Sequence, residues 1–480
     1  MLSSHVPWSI PDTIILLSYF FIMIGIAARF KSKAKKSMKN YFLSGRSLTL
    51  PLVIGTMMTA WYDGYSVVGV AQYGATIGIA GMIVYVIPCT VSRVPFALWI
   101  APMVRGRLPE DCMTIPDLLE HLYNKKAKFL GTFSIFAGVF YNGINFLVIS
   151  QLLQYMFDFP PLIATIVAGV ISAIYILVSG MWSITMTDVF QLVYMSASVG
   201  IAVIIVMHSV GGWDAIFGSL SQVQPTLFEA TGGMPPMTAL AWALIGFSIY
   251  TEPMMYQRFS ASDSAKTAKR SFLFCIPMWL TFSSCVILIG LASRTKYPDL
   301  PFYEAFWSTT FGALPPGLRG FFTAGFIAAV LSTMTAAILV QATAITKDIV
   351  SSFTNRKLED VKLIKWNKVA TIGIIIFSML STQAWLKNIL NGFFFVTGFQ
   401  IAGTLVPLVV GLFHRKRTPQ AGWITTLFGF SFYVFWQFVL GAPGGVPANN
   451  ITWLLSLGVY FLVWRITYRK PAEEAERLEA

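Results

Sequence analysis

The chain reads as long apolar runs separated by short polar joints. Runs of spanning length fall at about 11–28, 50–72, 78–103, 128–156, 161–178, 187–208, 238–257, 271–293, 318–345, 367–386, 390–412, 419–440 and 451–466. About twenty apolar residues in a helix cross a bilayer core, so these runs predict about thirteen membrane helices. The longest polar stretches lie near 104–127 and 346–368 and leave no room for a soluble catalytic domain. The expected fold class is therefore an all-α polytopic membrane protein. It has a single transmembrane domain over 1–466 and a short polar tail over 467–480.

Composition agrees with the pattern. The chain is 56% hydrophobic and 11% charged, whereas a soluble domain is about 25% charged. The net charge of +13 does not point to nucleic acid, because of where the charge sits. All but five of the 34 Lys and Arg residues fall in loops that alternation assigns to one face. Arg294, Lys296, Arg319 and Lys387 lie on the other face, and Arg93 lies inside a span. Positive loops face the cytoplasm, which predicts an outside N-terminus, a cytoplasmic C-terminus and an interaction with anionic lipid. The first apolar run precedes its basic block, RFKSKAKKSMK, the reverse of a secretory leader, so it is expected to remain as a helix. Cys89, Cys112, Cys275 and Cys285 have neither metal nor redox spacing. No Walker A sequence or grouped His and Cys nucleophile site is present, which argues against direct ATP drive and against an intramembrane enzyme.

Polar residues inside spans are costly and therefore informative. The second span, LVIGTMMTAWYDGYSVVGVAQYG, carries Asp63 beside Gly64, amid Trp61, Tyr62, Tyr65 and Ser66. The seventh, ALAWALIGFSIYTEPMMYQRF, carries Glu252 directly before Pro253, which removes a backbone donor and disfavours helix at Glu252. Two spans five apart, each interrupted and each bearing a carboxylate, match the inverted-repeat carriers that bind ligands at the midplane. The alternative is that both acids sit in interfacial water or pair with Arg93. Asn142 and Asn145 lie three apart on one face of the fourth span, where interhelical hydrogen bonding competes with solute contact. Asp188 opens the sixth span, as a first-turn acid or as part of an ion path.

The stretch Gly320–Asp348, GFFTAGFIAAVLSTMTAAILVQATAITKD, holds the densest set of small and hydroxyl residues. Ala329, Ser332 and Thr333 are three and four residues apart and share a helical face. Hydroxyls with a carbonyl suit a small hard cation, and small residues equally suit close helix packing.

Several segments resemble the sodium–solute symporter family, which includes sodium–glucose, proline, pantothenate and sialic acid carriers. These are YFLSGRSL, GVAQYGATIG, TIPDLLEHLYNKK, SGMWSITMTDVFQ, AAVLSTMTAAILVQATAITKDI and VGLFHRKRTPQAG, in family order over nearly the whole chain. The resemblance implies a LeuT-type core of two inverted five-helix repeats, here about 50–208 and 238–412, and sodium-coupled uptake by alternating access. It implies a sodium site from the carbonyls of Thr59, Tyr62 and Ala329 and the hydroxyls of Ser332 and Thr333. It places Asp188 and Thr335 at a possible second sodium site or exit path; Ala336 stands where that pattern has a further hydroxyl. The solute positions depart from the sugar carriers: Tyr85, Trp279 and Phe394 replace an acid, a lysine and a glutamine. The inner-gate tyrosine register falls on Ser248, with Tyr250 the nearby alternative.

Aromatics with carboxylates suit an ammonium group through cation–π and charge pairing. The expected solute is small and amine-bearing or zwitterionic. Its candidate contacts are Trp61, Asp63, Tyr65, Ser66, Asn142, Tyr250, Glu252 and Phe394. Proton coupling through Asp63, Asp188 or Glu252 is the near alternative, and a sensor or channel on the same scaffold the more distant one. Sodium is the expected coupling ion, with no organic cofactor. A monomer is compatible with the pattern, and a bacterial inner membrane is expected by analogy.

Overall fold

The computed structural model describes residues 8–34, 37–110, 112–178, 180–350, 360–384 and 389–468. Lys387, the extreme N-terminus and nearly all of the polar tail lie outside these residues. Helix accounts for most of the described residues in the predicted spans, and no strand occurs among the described residues.

The helices in chain order are α1 (Ile10–Ala34), α2 (Leu50–Thr59), α3 (Val70–Ile77), α4 (Gly81–Arg107), α5 (Ile115–Leu122), α6 (Lys125–Phe157), α7 (Pro161–Val178) and α8 (Met181–Ser209). They continue with α9 (Pro236–Leu244), α10 (Pro253–Ala261), α11 (Ala265–Lys296), α12 (Phe302–Ala313), α13 (Leu318–Ala344), α14 (Asp360–Ala384), α15 (Ile389–Phe413), α16 (Pro419–Val434) and α17 (Ala448–Thr467). Nine helices among the described residues are long and apolar enough to cross a membrane by themselves. The second and seventh predicted spans are divided in two, and the fifth and twelfth are shorter.

Burial sorts the helices. The apolar window of α13 is 94% buried and that of α1 only 17%, so α13 runs through the protein and α1 offers its side chains to lipid. In lipid no hydrophobic force drives helices together, so small residues and polar contacts set the packing. Helix α13 packs along α8, α6 and α1. Its first turn is held by Asp12 of α1, whose Oδ1 accepts from the N–H of Gly317 and Gly320, both at 2.8 Å. Gly320 is required there, because a Cβ would lie 2.3 Å from the Asp12 carbonyl.

The two divided spans meet at one end. Leu48, before α2, exchanges backbone hydrogen bonds with Ala261 and Asp263 after α10, at 3.1 and 2.9 Å. Helix α15 lies against α6 and against the 3₁₀ segment Ile245–Thr251 that continues α9, closing the space between the two breaks.

Candidate ion and solute sites

The first break runs through Ala60–Gly64, between α2 and a wide-turned segment, Tyr65–Gly69, that leads into α3. Gly64 N donates to Asn145 Oδ1 of α6 at 2.9 Å, and Ser66 N donates to Asp63 Oδ1 at 2.8 Å. Tyr141 of α6 donates to the other Asp63 oxygen, and Ser66 Oγ donates to the Trp61 carbonyl at 2.7 Å. The new helix start is therefore capped from its own chain and from α6. These bonds supply the amides that a helix N-terminus leaves unpaired. Asp63 is fully buried and spends both oxygens on this cap.

What the break frees is carbonyl oxygen. Ser332 Oγ lies 3.1 Å from the Thr59 carbonyl and 2.9 Å from that of Ala329. Thr333 Oγ1 lies 2.8 Å from the Thr59 carbonyl and 2.9 Å from that of Tyr62. All five expected sodium-site residues thus converge, with Thr59 acting through its carbonyl; its hydroxyl turns back to Gly55 and Thr56. Two hydroxyls bring one proton each to three carbonyls, so lone pairs outnumber protons. A small cation satisfies such an excess by accepting neutral oxygens as ligands.

Asp188 lies beside this cluster. Thr56 Oγ1, one helical turn before Thr59, donates to Asp188 Oδ2. Arg258 of α10 approaches the same oxygen at 3.9 Å and donates to the carbonyls of Thr56 and Met254 at 2.9 and 3.1 Å. Asp188 Oδ1 is buried with no hydrogen-bond partner. Thr335 is not brought to Asp188; its hydroxyl donates to Leu331 of its own helix at 2.6 Å.

At the second break Glu252 is extended, with φ −83° and ψ 108°, and its side chain accepts from Met254 N at 3.3 Å as the N-cap of α10. Pro253 fits the first helical position, where its missing N–H costs nothing. A central cavity of ≈ 30 Å³ opens here, lined among others by Trp61, Tyr141, Glu252, Gln341, Phe393 and Gln400. That is room for about two waters.

Of the expected solute contacts, Trp61 and Glu252 line this cavity. Asp63 is one bond behind it, on Tyr141. Asn142 also stands behind the lining, donating to Gln341 Oε1 at 2.7 Å. Tyr65 stacks on Phe393 with ring centroids 3.6 Å apart, and its hydroxyl meets that of Tyr73 at 2.5 Å. With Tyr85, Trp242 and Phe394 these rings form an aromatic layer beside the cavity. Phe394 packs on Trp242 in that layer, while its neighbour Phe393 reaches the lining. Tyr250 donates to the Ser92 carbonyl at 2.8 Å and lines a separate apolar groove with Trp99, Phe247 and Trp453. Tyr141, Gln341 and Gln400 were missed by sequence reasoning. The available signal was a strong polar group inside each of three apolar runs.

A model of the sodium:solute symporter family matches residues 41–429. The chain belongs to that family. Among curated relatives, the sodium/glucose cotransporter of Vibrio parahaemolyticus is 23% identical, covering 89% of this chain and 85% of its own. The osmoregulated proline transporter OpuE of Bacillus subtilis is also 23% identical, over 97% of both chains. A sodium-coupled sialic acid symporter, solved substrate-bound and outward-open, superimposes with a TM-score of 0.80 at 16% identity, covering 96% of this chain and 97% of that one. The fold is thus the LeuT-type helical fold of that symporter. The family assignment makes this an integral membrane protein with sodium as the implied coupling ion.

Proposed function

We propose that this symporter couples the inward movement of sodium to uptake of a small amine-bearing or zwitterionic solute. The observation that carries the reading is the pairing of two sites on one break. The Thr59 and Tyr62 carbonyls face Ser332 and Thr333, and Trp61, between them in sequence, faces the cavity with Glu252. Sodium bound among those five oxygens would tie the first break to α13 and so set the position of Trp61. Occupancy of one site then changes the other, which is the reciprocal coupling a symporter needs. The aromatic layer of Tyr65, Tyr73, Tyr85, Trp242, Phe393 and Phe394 would close the outer side, and Asp188 would mark the inward exit. With the N-terminus outside, an inward membrane potential contributes about 2.3 kcal/mol per charge per 100 mV.

Glu252 and the rings of Trp61, Tyr141 and Phe393 offer an ammonium group a carboxylate and aromatic faces. The curated relatives named for proline carry a zwitterion, which agrees with this chemistry.

The test is thermal stability of the purified protein in sodium against potassium, across amino acids, betaines, polyamines, organic acids and sugars. Ligands of the native state raise Tm by mass action. A sodium-specific rise that grows with amine-bearing solutes is expected. A response to pH in place of sodium would favour proton coupling instead. Glu252→Gln is expected to weaken the effective amine about ten-fold, about 1.4 kcal/mol, while leaving the sodium response in place.

A further inference from the structure

One cation in the membrane interior is not accounted for by the ion site or by packing. Arg93 of α4 is 5% exposed and far from either end of its span. Its guanidinium lies 5.3 Å from the ring centroid of Trp61 and 4.7 Å from that of Trp279 on α11. Among the described residues no carboxylate, carbonyl or hydroxyl accepts a hydrogen bond from it. Trp279 is 1% exposed and its indole Nε1 is buried without an acceptor, whereas the Arg93 nitrogens are not sealed from solvent in that way.

Other buried arginines of this protein behave differently. Arg258 donates to Thr56, Met254 and Gln257 through Nε and Nη1, with only its Nη2 left without a hydrogen bond at 3.9 Å from Asp188, and Arg46 donates to the Ser260 carbonyl at 3.0 Å. A guanidinium carries five N–H donors, and losing their hydration costs several kcal/mol unless acceptors replace it. A cation–π contact contributes about 0.5–2 kcal/mol and uses the charge without using the donors. Packing between two tryptophans therefore leaves Arg93 incomplete.

Its position points to the missing acceptor. Trp61 belongs to the first break, lines the solute cavity and carries Arg93 against its ring. The residue before Arg93 is fastened to the second break: Ser92 Oγ donates to the Gly246 carbonyl at 2.7 Å, and the Ser92 carbonyl accepts from Tyr250. Arg93 thus stands beside the first break and next to a residue fastened to the 3₁₀ segment that leads into the second, one aromatic ring from the cavity.

We propose that Arg93 and Trp279 Nε1 form the subsite for the carboxylate of the transported solute. The inference rests on the solute-carrier reading of the cavity and narrows it. With Glu252 for the ammonium end and Arg93 for the carboxylate end, the solute is a zwitterion, and an amine lacking a carboxylate is excluded. A guanidinium is the fitting receptor because its paired N–H groups match a carboxylate fork.

The test uses phenylglyoxal, an arginine-selective reagent, with peptide mass spectrometry to follow modification at Arg93. The purified protein in sodium is challenged with three pools: amino acids and betaines, the corresponding amides and amines, and neutral sugars. Only the first pool is expected to slow modification of Arg93, by about ten-fold or more, the effect of a charge-assisted hydrogen bond, and to raise Tm. Arg93→Gln should lose that Tm rise and Arg93→Lys should retain a part of it. A Tm rise with sodium alone reports that each variant is folded. Equal protection by amides or sugars, no protection by the carboxylate pool, or an Arg93 that never reacts would each overturn the proposal. Carboxylate protection without any sodium response would keep the anion subsite and remove the sodium-symport reading.

Discussion

Helix α13 and its end carry two polar clusters that work in opposite ways. Midway along it, Ser332 and Thr333 face the carbonyls of Thr59, Tyr62 and Ala329, and no charged side chain belongs to that set. Just past its end, Lys347 meets Asp117 of α5 at 2.5 Å, and Lys128 of α6 meets Asp117, Glu120 and Asp348 at 3.0, 2.8 and 3.3 Å. Thr114 adds a hydrogen bond to Asp348 at 3.0 Å. In the second cluster the chain supplies both signs, two lysines against three carboxylates, so the charges pair with one another and tie α5, α6 and the end of α13 together. In the first it supplies only neutral oxygen with too few protons, the set that the proposed function fills with a cation from outside. One set closes on itself, and the other, on the proposed function, is open to exchange.

The largest expected effect breaks the charged cluster. Lys128→Met leaves Asp117 and Asp348 short of a cation in a mostly buried setting, which should cost about 2–3 kcal/mol of stability, between the values for exposed and fully buried pairs. The apparent sodium affinity of the folded variant should not change. A large loss of sodium affinity at unchanged Tm would contradict the division of labour. Next comes Thr333→Ala, which removes the one hydroxyl that touches both break carbonyls. It should weaken sodium about ten-fold, about 1.4 kcal/mol, read as the sodium concentration giving half the Tm rise. Its Tm in potassium should stay close to that of the parent, and a Tm collapse there would make the hydroxyl a packing residue.

The smallest effect is a pH dependence. Burial opposes ionisation of Asp117, but Lys347 and Lys128 outweigh it and hold its carboxyl down at about 2. The folded value lies below the unfolded value of about 3.9, so this contribution is complete above that pH and is lost only as pH falls through the folded value. Asp348 beside it is pushed up to about 7 by burial and by the Asp117 charge, so its ionisation as pH rises from about 5 to 8 sets two like charges together in the parent but not in Asp117→Asn. The Tm difference between the parent and Asp117→Asn should therefore be larger at about pH 5 than at about pH 8, and a difference that stays level across that window would show that the two carboxyls do not share one set of lysines.

The same contrast explains which site residues could be read in advance. Ala329, Ser332 and Thr333 lie within one continuous helix, where a spacing of three and four fixes a shared face. Across a break that rule lapses. Asp63 and Glu252 carry the same signature of an acid at an interruption, yet Asp63 is consumed in capping and Glu252 reaches the cavity. Phe393 and Phe394 exchange roles because α15 presents one ring to the lining and the next to Trp242. Tyr250 lies in a 3₁₀ turn that rotates it toward Ser92 and away from the cavity.

What the sequence alone determined was the membrane class, the positions of the helices, the two interruptions and the hydroxyl face of α13. These follow from local physics: apolar length against bilayer thickness, proline and glycine against helix, and the helical period. The tertiary structure decided which carbonyls meet that face, which acid is free to touch a solute, and that Arg93 is held by two tryptophans with no acceptor. Those outcomes depend on partners far apart in the chain. A buried polar group takes its role from whatever its neighbours leave unpaired, and that is known only once the helices are packed.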